Sequence, residues 1–129
     1  REEAYPRMEL NELLATSDIV SIHCPLSDKT RNLIDRKEFS LMKPTSIIIN
    51  VARGGIIDEE ALAEALDNGE IRGAALDVFS REPLRESPLY SIKDKYRLLA
   101  SPHNAWSAEA SLKRLIDCIV QNIKAYQAK

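Results

Sequence analysis

Three side chains suited to acid–base or anion-binding chemistry each follow a short apolar segment. Arg53 comes after SIIINV, Glu82 after AALDVF and His103 after RLLA. An arginine guanidinium can hold a carboxylate through paired hydrogen bonds, and it stays charged when partly desolvated. Histidine is well suited to exchange a proton near neutral pH, and a carboxylate bonded to one ring nitrogen fixes its tautomer. Together these side chains suit chemistry at a carbonyl group that stands beside a carboxylate.

The elements that must position these residues are predicted from short apolar, β-branched segments bounded by turn residues. They predict strands over 18–23, 46–51, 74–79 and 97–100. The second segment is apolar without alternation, which is typical of a strand covered on both faces. Because helical patterns alternate with the strands, we predict an α/β fold, a Rossmann-like parallel sheet of about four strands with helices on both faces.

Apolar spacing and capping residues predict the helices. Asp35 and Glu38 have the spacing of a capping box, Asp58 begins the next helix, and Gly69 ends it. Ser107 is the predicted cap of the last helix. That helix has an apolar stripe at steps of three and four residues, formed by Leu112, Leu115, Ile116, Ile119, Val120, Ile123 and Tyr126.

The carboxyl ends of parallel strands open into one crevice, so we expect Arg53, Glu82 and His103 to converge there. Each has a plainer alternative when taken alone. Arg53 suits a turn residue with a surface ion pair, Glu82 a solvated loop acid, and His103 a residue that braces its loop. Asp77 lies inside an apolar segment, where an unpaired acid is costly, so it either caps a neighbouring helix or serves a ligand.

Composition excludes several classes of protein. The chain has 129 residues, with 18 basic and 20 acidic side chains and a net charge of −2, which suits at most one domain and gives no reason to expect nucleic acid as a partner. Its apolar runs are far shorter than the ~20 residues that span a bilayer. Cys24 and Cys118, with two histidines, match no zinc-ligand spacing. We therefore expect a reduced, cytoplasmic protein with no membrane partner, no metal and no signal peptide.

The strings NVARGGIIDEEALAEAL, GAALDVFSREPL, SPLY and SPHNAW, in this order, resemble the NAD-binding domain of the D-isomer-specific 2-hydroxyacid dehydrogenase family. The resemblance runs from about Leu10 to Tyr126. It implies an oxidoreductase that transfers hydride between NAD and a small 2-oxo or D-2-hydroxy acid, and it leaves NADP open. Glu82 stands where the family's formate dehydrogenases carry Gln, which favours the 2-hydroxyacid branch.

Residues near the last strand bear on the branch. Trp106, three residues after His103, gives the chain a resemblance to the hydroxypyruvate reductase and glycerate dehydrogenase branch. Asn104 replaces the apolar residue usual after the histidine, and Ser101 replaces the usual Thr. Neither departure touches the group that transfers the proton.

The resemblance also implies roles for individual residues. Arg53 would bind the carboxylate of the 2-oxo acid, His103 would protonate the new hydroxyl group, and Glu82 would pair with His103. Asp77 would lie near the nicotinamide carboxamide. The full set of implied cofactor-binding residues is Cys24, Pro25, Val51, Ala52, Asp77 and Ala105.

The chain lacks the G-x-G-x-x-G turn that binds the dinucleotide pyrophosphate in this family. The resemblance places that turn upstream of Arg1 and the substrate-binding lobe on both sides of this domain. We therefore expect residues 1–129 to be the second half of a nucleotide-binding domain, inactive alone and with little dinucleotide affinity. The choice between NAD and NADP, and the particular substrate, would be made outside this segment.

Two further expectations concern partners. Without the glycine-turn strand, Ile19, Val20 and Ile22 would lie on an open sheet edge, which predicts self-association, and we expect the whole protein to be a homodimer.

An alternative function is that of a dinucleotide-sensing corepressor, because the family includes corepressors that keep the Arg, Glu and His. A third alternative is a stable piece with no function of its own.

Overall fold

The computed structural model describes residues 7–128, whose strands form one parallel sheet in the order β1-β2-β3-β4. The elements in chain order are α1 (Leu10–Thr16), β1 (Ile19–Ile22), α2 (Arg36–Leu41), β2 (Ile47–Asn50), α3 (Glu59–Asn68), β3 (Gly73–Leu76), β4 (Leu98–Ala100) and α4 (Glu109–Gln127). Short 3-10 turns cover Pro88–Ser91, Lys95–Arg97 and Ala105–Ser107. The predicted α/β fold with four parallel strands is confirmed, and each strand is shorter than its predicted segment.

One face of the sheet carries the core. The register aligns Val20 of β1 with Ile48 of β2 and Ala74 of β3, and all three side chains are buried. The helices α1, α2 and α3 contact one another in series and contribute Leu14, Phe39, Leu62 and Leu66 to the same core. Consecutive strands joined by right-handed crossovers place their helices on one side of the sheet, which explains this arrangement.

The other face of the sheet is only partly covered by the described residues. Ile47 and Ile49 of β2 are half-buried there, and the edge residues Ile19 and Leu99 are 63% and 71% exposed. Within residues 7–128, the expected helices on both faces are thus found on one face only. Among the described residues β1 is an edge strand, as expected, but of its three apolar side chains only Ile19 is exposed, since Val20 and Ile22 are buried in the core.

Local signals explain where the helices begin and end. Asp35 and Glu38 form both hydrogen bonds of the capping box at the start of α2. The Asp58 carboxylate accepts a hydrogen bond from the backbone N–H of Ala61 at 2.9 Å, and α3 ends at Gly69 with φ of 72°. These predicted caps are confirmed.

The last helix, α4, forms as predicted but does not pack on the sheet. Its main contacts are with the 3-10 turn Ala105–Ser107, and none of its residues is buried. Most of the predicted stripe is exposed, from Val120 at 43% to Tyr126 at 79%. The predicted Ser107 cap is wrong, because the helix begins after Ala108 and the Ser107 hydroxyl donates to the Asn104 carbonyl.

Candidate active site

Glu82 and His103 form a short hydrogen-bonded pair beyond the carboxyl ends of β3 and β4. Glu82 Oε2 lies 2.6 Å from His103 Nδ1, and Glu82 Oε1 accepts the backbone N–H of Phe79 at 3.0 Å. Among residues 7–128, no group hydrogen-bonds to His103 Nε2, and the histidine side chain is 43% exposed. The pair therefore presents one ring nitrogen to a ligand while the carboxylate holds the other.

The hydrogen bond with His103, followed by the one from the Phe79 N–H, lowers the pKa of the Glu82 carboxyl, although partial burial opposes this. Glu82 thus stays ionised over a wide pH range. An ionised carboxylate at Nδ1 orients the imidazole ring and sets the tautomer of its neutral form.

The backbone of His103 adopts a left-handed conformation with φ of 53°. For a residue other than glycine, such a conformation costs on the order of 1–3 kcal/mol and needs support from its surroundings. Asp77, directly after β3, supplies that support on both sides of the histidine. Its Oδ1 accepts from Ser101 Oγ at 2.6 Å and from the Asn104 N–H at 2.9 Å, and its Oδ2 accepts from the Ala105 N–H at 2.8 Å.

Asp77 is only 3% exposed. Burial raises the pKa of its carboxyl, but the hydrogen bonds from Ser101, Ala105 and Asn104 and the charge of His103 outweigh burial, so the net pKa is lowered. Asp77 caps the 3-10 turn Ala105–Ser107, which agrees with the capping alternative considered for this acid. Its predicted role near the nicotinamide stays a prediction.

Arg53 lies in the turn after β2, which a buried amide shapes. Asn50, 2% exposed, donates from Nδ2 to the Arg53 carbonyl at 2.9 Å and accepts the Ala52 N–H at Oδ1 at 3.0 Å. The guanidinium of Arg53 is exposed and donates to the Ala52 carbonyl at 2.7 Å. Arg53 is therefore available to an anion.

Two cavities adjoin at Val51 and form a trough along the carboxyl ends of the strands. The larger, about 640 Å³, is lined by His23, Cys24, Pro25, Leu26, Val51, Ala52 and Arg53. The smaller, about 170 Å³, is lined by Val51, Ala75, Leu76, Asp77, Leu99, Ser101, Asn104 and Ala105. All six residues predicted to bind the cofactor thus line this trough.

The three predicted catalytic residues do not share one cavity. Glu82 and His103 line a third cavity of about 320 Å³ with Phe79, Pro83, Leu84 and Pro102. Arg53 lines the large cavity of the trough instead. The two sites are linked at Gly54, whose backbone packs directly against the peptide between Phe79 and Ser80.

The structure adds polar groups that the sequence analysis did not single out. Asn50 shapes the Arg53 turn, and Glu59 at the start of α3 accepts hydrogen bonds from Ser80 and Ser87. The peptide between Glu82 and Pro83 is cis. An amide at a strand end and an acid in the first turn of a helix are common, so only tertiary contacts distinguish these residues.

Among residues 7–128, no helix has the length and apolar character needed to cross a membrane, and no group of three or more His, Cys, Asp or Glu side chains is arranged to hold a metal ion. An open parallel sheet with a ligand-sized trough at its carboxyl edge is the architecture of nucleotide-binding α/β domains. The paired histidine and carboxylate add a proton-transfer group beside that trough.

The chain belongs to the D-isomer specific 2-hydroxyacid dehydrogenase family, because the family model for its NAD-binding domain matches residues 1–105. It is 43% identical over 116 residues to a D-3-phosphoglycerate dehydrogenase of Methanocaldococcus jannaschii, covering 90% of this chain and 22% of that protein. It is 37% identical over 121 residues to a glycerate dehydrogenase of Methylorubrum extorquens, covering 94% of this chain and 38% of that protein. The resemblance drawn from the motifs is confirmed.

Solved structures agree with this assignment. The D-lactate dehydrogenase of Aquifex aeolicus, determined with NAD and lactic acid, superposes with a TM-score of 0.80 at 30% identity, over 94% of this chain and 40% of that one. The chain thus spans well under half the length of these relatives.

Proposed function

We propose that this chain is the nicotinamide-side part of an NAD-dependent reductase of small 2-oxo acids, in which His103 transfers the proton. The observation that carries the proposal is the 2.6 Å contact between His103 Nδ1 and Glu82 Oε2, which leaves Nε2 without a protein partner among the described residues. A histidine held in this way beside a nucleotide-sized trough suits reduction of a carbonyl.

The trough supports NAD as the ligand. Its walls combine apolar side chains such as Val51, which is 40% exposed, with backbone and carboxylate groups near Asp77. This suits a flat, weakly polar ring that carries a carboxamide. The glycine turn that would bind the pyrophosphate is not part of the 129 residues, so we expect this chain by itself to bind dinucleotide weakly and to lack turnover.

The roles of the side chains follow from their charges and positions. When bound, the reduced nicotinamide would supply a hydride to the carbonyl carbon of the substrate. The Arg53 guanidinium would bind the substrate carboxylate and orient the adjacent carbonyl. Protonated His103 would give its Nε2 proton to the carbonyl oxygen, producing a hydroxyl group and a neutral imidazole, while Glu82 holds the ring in place at Nδ1.

The experiment measures NADH oxidation by a protein that contains this chain together with the flanking segments of its relatives. Hydroxypyruvate, glyoxylate and other 2-oxo acids would be the substrates. We expect turnover with at least one of them, and a raised KM for that acid in Arg53→Ala because the carboxylate loses its partner. Arg72→Ala is the matched control, since Arg72 is exposed and precedes β3 at the opposite end of the sheet.

No turnover with any 2-oxo acid, combined with dinucleotide binding, would contradict the reductase proposal and favour the corepressor alternative. Equal KM values for Arg53→Ala and Arg72→Ala would contradict the role given to Arg53.

We further propose that the protein is a cytoplasmic homodimer. The exposed apolar stripe of α4 supports the association, and sedimentation of the longer protein tests it.

A further inference from the structure

Glu59, at the start of α3, closes the loop over residues 80–87 at both of its ends. Its Oε1 accepts from the Ser80 backbone N–H at 2.7 Å and from Ser80 Oγ at 2.5 Å. Its Oε2 accepts from Ser87 Oγ at 2.9 Å. One carboxylate therefore joins two points of the chain that are seven residues apart.

This 80–87 loop carries Glu82, and its other attachments include the two bonds of Glu82 itself and a hydrogen bond from the Tyr90 hydroxyl to the Leu84 carbonyl at 2.8 Å. Its residues are mostly exposed, and Leu84 is its only apolar side chain packed against the core cluster. Hydrogen bonds to a charged acceptor are stronger than those between neutral groups. The Glu59 carboxylate is thus a main attachment of the loop.

The attachment acts next to the catalytic pair. Ser80, which Glu59 holds, directly follows Phe79, whose backbone N–H donates to Glu82 Oε1 at 3.0 Å. The other Glu82 oxygen contacts His103 Nδ1. A displacement of the Ser80 backbone would therefore move the Phe79 N–H and the loop that carries Glu82, and would disturb the hydrogen bond between them.

An acid in the first turn of a helix also favours the positive end of the helix dipole, and this simpler role must be separated from loop attachment. The chain offers a comparison at the next position. Glu60 lies in the same first turn of α3 but is exposed, and it contacts Arg36 at 3.9 Å rather than the loop. Removing the charge of Glu60 therefore removes a dipole contribution and the contact with Arg36, but no contact with the loop.

We propose that Glu59 is a positioning residue that holds the 80–87 loop so that Glu82 stays in hydrogen-bond contact with His103. The inference deepens the proposed function, and its effect on catalysis rests on that function. The contact itself is present in this chain whatever reaction the longer protein performs.

The first test follows the Glu82 carboxyl by carbon NMR in the full 129-residue chain. In Glu59→Ala, we expect the pKa of Glu82 to rise toward its ordinary value, because its hydrogen bonds loosen. In Glu60→Gln, it should match the original chain. An unchanged Glu82 pKa in folded Glu59→Ala would overturn the proposal, and so would an equal rise in both variants.

Two milder variants serve if Glu59→Ala does not fold. Glu59→Gln keeps an acceptor for Ser80 and loses the charge, and Ser87→Ala removes only the hydrogen bond at the far end of the loop. We expect each variant to raise the pKa of Glu82, by less than Glu59→Ala would, because each keeps part of the attachment. No change in either variant would overturn the proposal.

A second test measures kinetics in the longer protein. Loosening the loop should lower kcat by roughly 10- to 100-fold in Glu59→Ala and leave KM for NADH unchanged, because misplaced catalytic groups slow the chemical step. Glu60→Gln should match the original protein. A shifted Glu82 pKa with unchanged kcat would support the attachment of the loop by Glu59 but contradict the role of the Glu82–His103 pair in catalysis. Failure of the inference and failure of the proposed function are thus distinguishable.

Discussion

Replacing Gly54 by alanine should disturb the Glu82–His103 pair through the peptide between Phe79 and Ser80, which Gly54 contacts. A Cβ at Gly54 would lie 1.9 Å from the Phe79 carbonyl oxygen and 2.7 Å from the Ser80 nitrogen, whereas real Cβ atoms essentially never come closer than 3.0 Å to another heavy atom. The Phe79 oxygen would therefore have to retreat by at least 1.1 Å. The obstacle is backbone, which has no side-chain rotation to relieve it.

A shift of this size exceeds the tolerance of the site. The Phe79 N–H belongs to the adjacent peptide and anchors Glu82, whose contact with His103 is 2.6 Å. Passed on to Glu82, the shift would lengthen that contact beyond the ~3.2 Å limit of an ordinary hydrogen bond. We expect Gly54→Ala to lower the free energy of unfolding by about 1–3 kcal/mol or more, as overpacking does, and to raise the pKa of Glu82.

Urea unfolding and carbon NMR of Glu82 measure the two effects. Trp106 provides a further probe, since its indole N–H donates to the His103 carbonyl at 2.9 Å and it is the single tryptophan. Gly69→Ala is the control, because its cost comes from φ of 72° at the end of α3 and its Cβ would meet nothing closer than 3.7 Å. This variant should lose about 1–2 kcal/mol of the free energy of unfolding without changing the pKa of Glu82. Wild-type stability and an unchanged Glu82 pKa in Gly54→Ala would contradict the expected displacement of the Phe79–Ser80 peptide.

Three further outcomes are expected. Because the pKa values of Asp77 and Glu82 are lowered in the fold, their stabilisation is present above the ordinary values of 3.8 and 4.5 and is lost as the pH falls through the lowered values. Asp77→Asn should therefore lower the free energy of unfolding by about 1–3 kcal/mol at neutral pH. Urea unfolding should show that the difference in this free energy between the variant and the original chain becomes smaller in acid; a difference that does not change with pH would contradict this. Ser46→Ala should raise the free energy of unfolding by up to about 1 kcal/mol, because the Ser46 hydroxyl is buried and has no hydrogen-bond partner within residues 7–128; a clear loss of stability would count against that. The 129-residue chain should self-associate at micromolar concentrations through the exposed edge at Ile19, which a strictly monomeric sedimentation profile would contradict.

The elements of the fold could be predicted because their signals are local. The capping box at Asp35, the Asp58 cap and the apolar positions of α3 each depend on residues within one or two turns. The pairing of Glu82 with His103 was implied by the family resemblance and by the rule that parallel strands end at one edge. No part of that prediction required side-chain detail.

Other features depend on contacts between distant segments. Glu59 lies 21 positions before Ser80, and nothing in its neighbourhood distinguishes it from Glu60. The stripe of α4 predicts a helix with one apolar face, but periodicity does not say which surface covers that face. The separation of Arg53 from the Glu82–His103 cavity likewise arises from the path of the turn that Asn50 shapes.

The proposed function depends on proton transfer from His103, paired with Glu82, to a 2-oxo acid. The most direct test compares kcat for NADH oxidation by the longer protein with those of His103→Ala and Glu82→Gln, with Glu86→Gln as an exposed control on the same loop. We expect kcat to fall by about 100- to 10,000-fold in His103→Ala, by less in Glu82→Gln, and not in Glu86→Gln. Turnover by His103→Ala at the rate of the original protein would contradict the account.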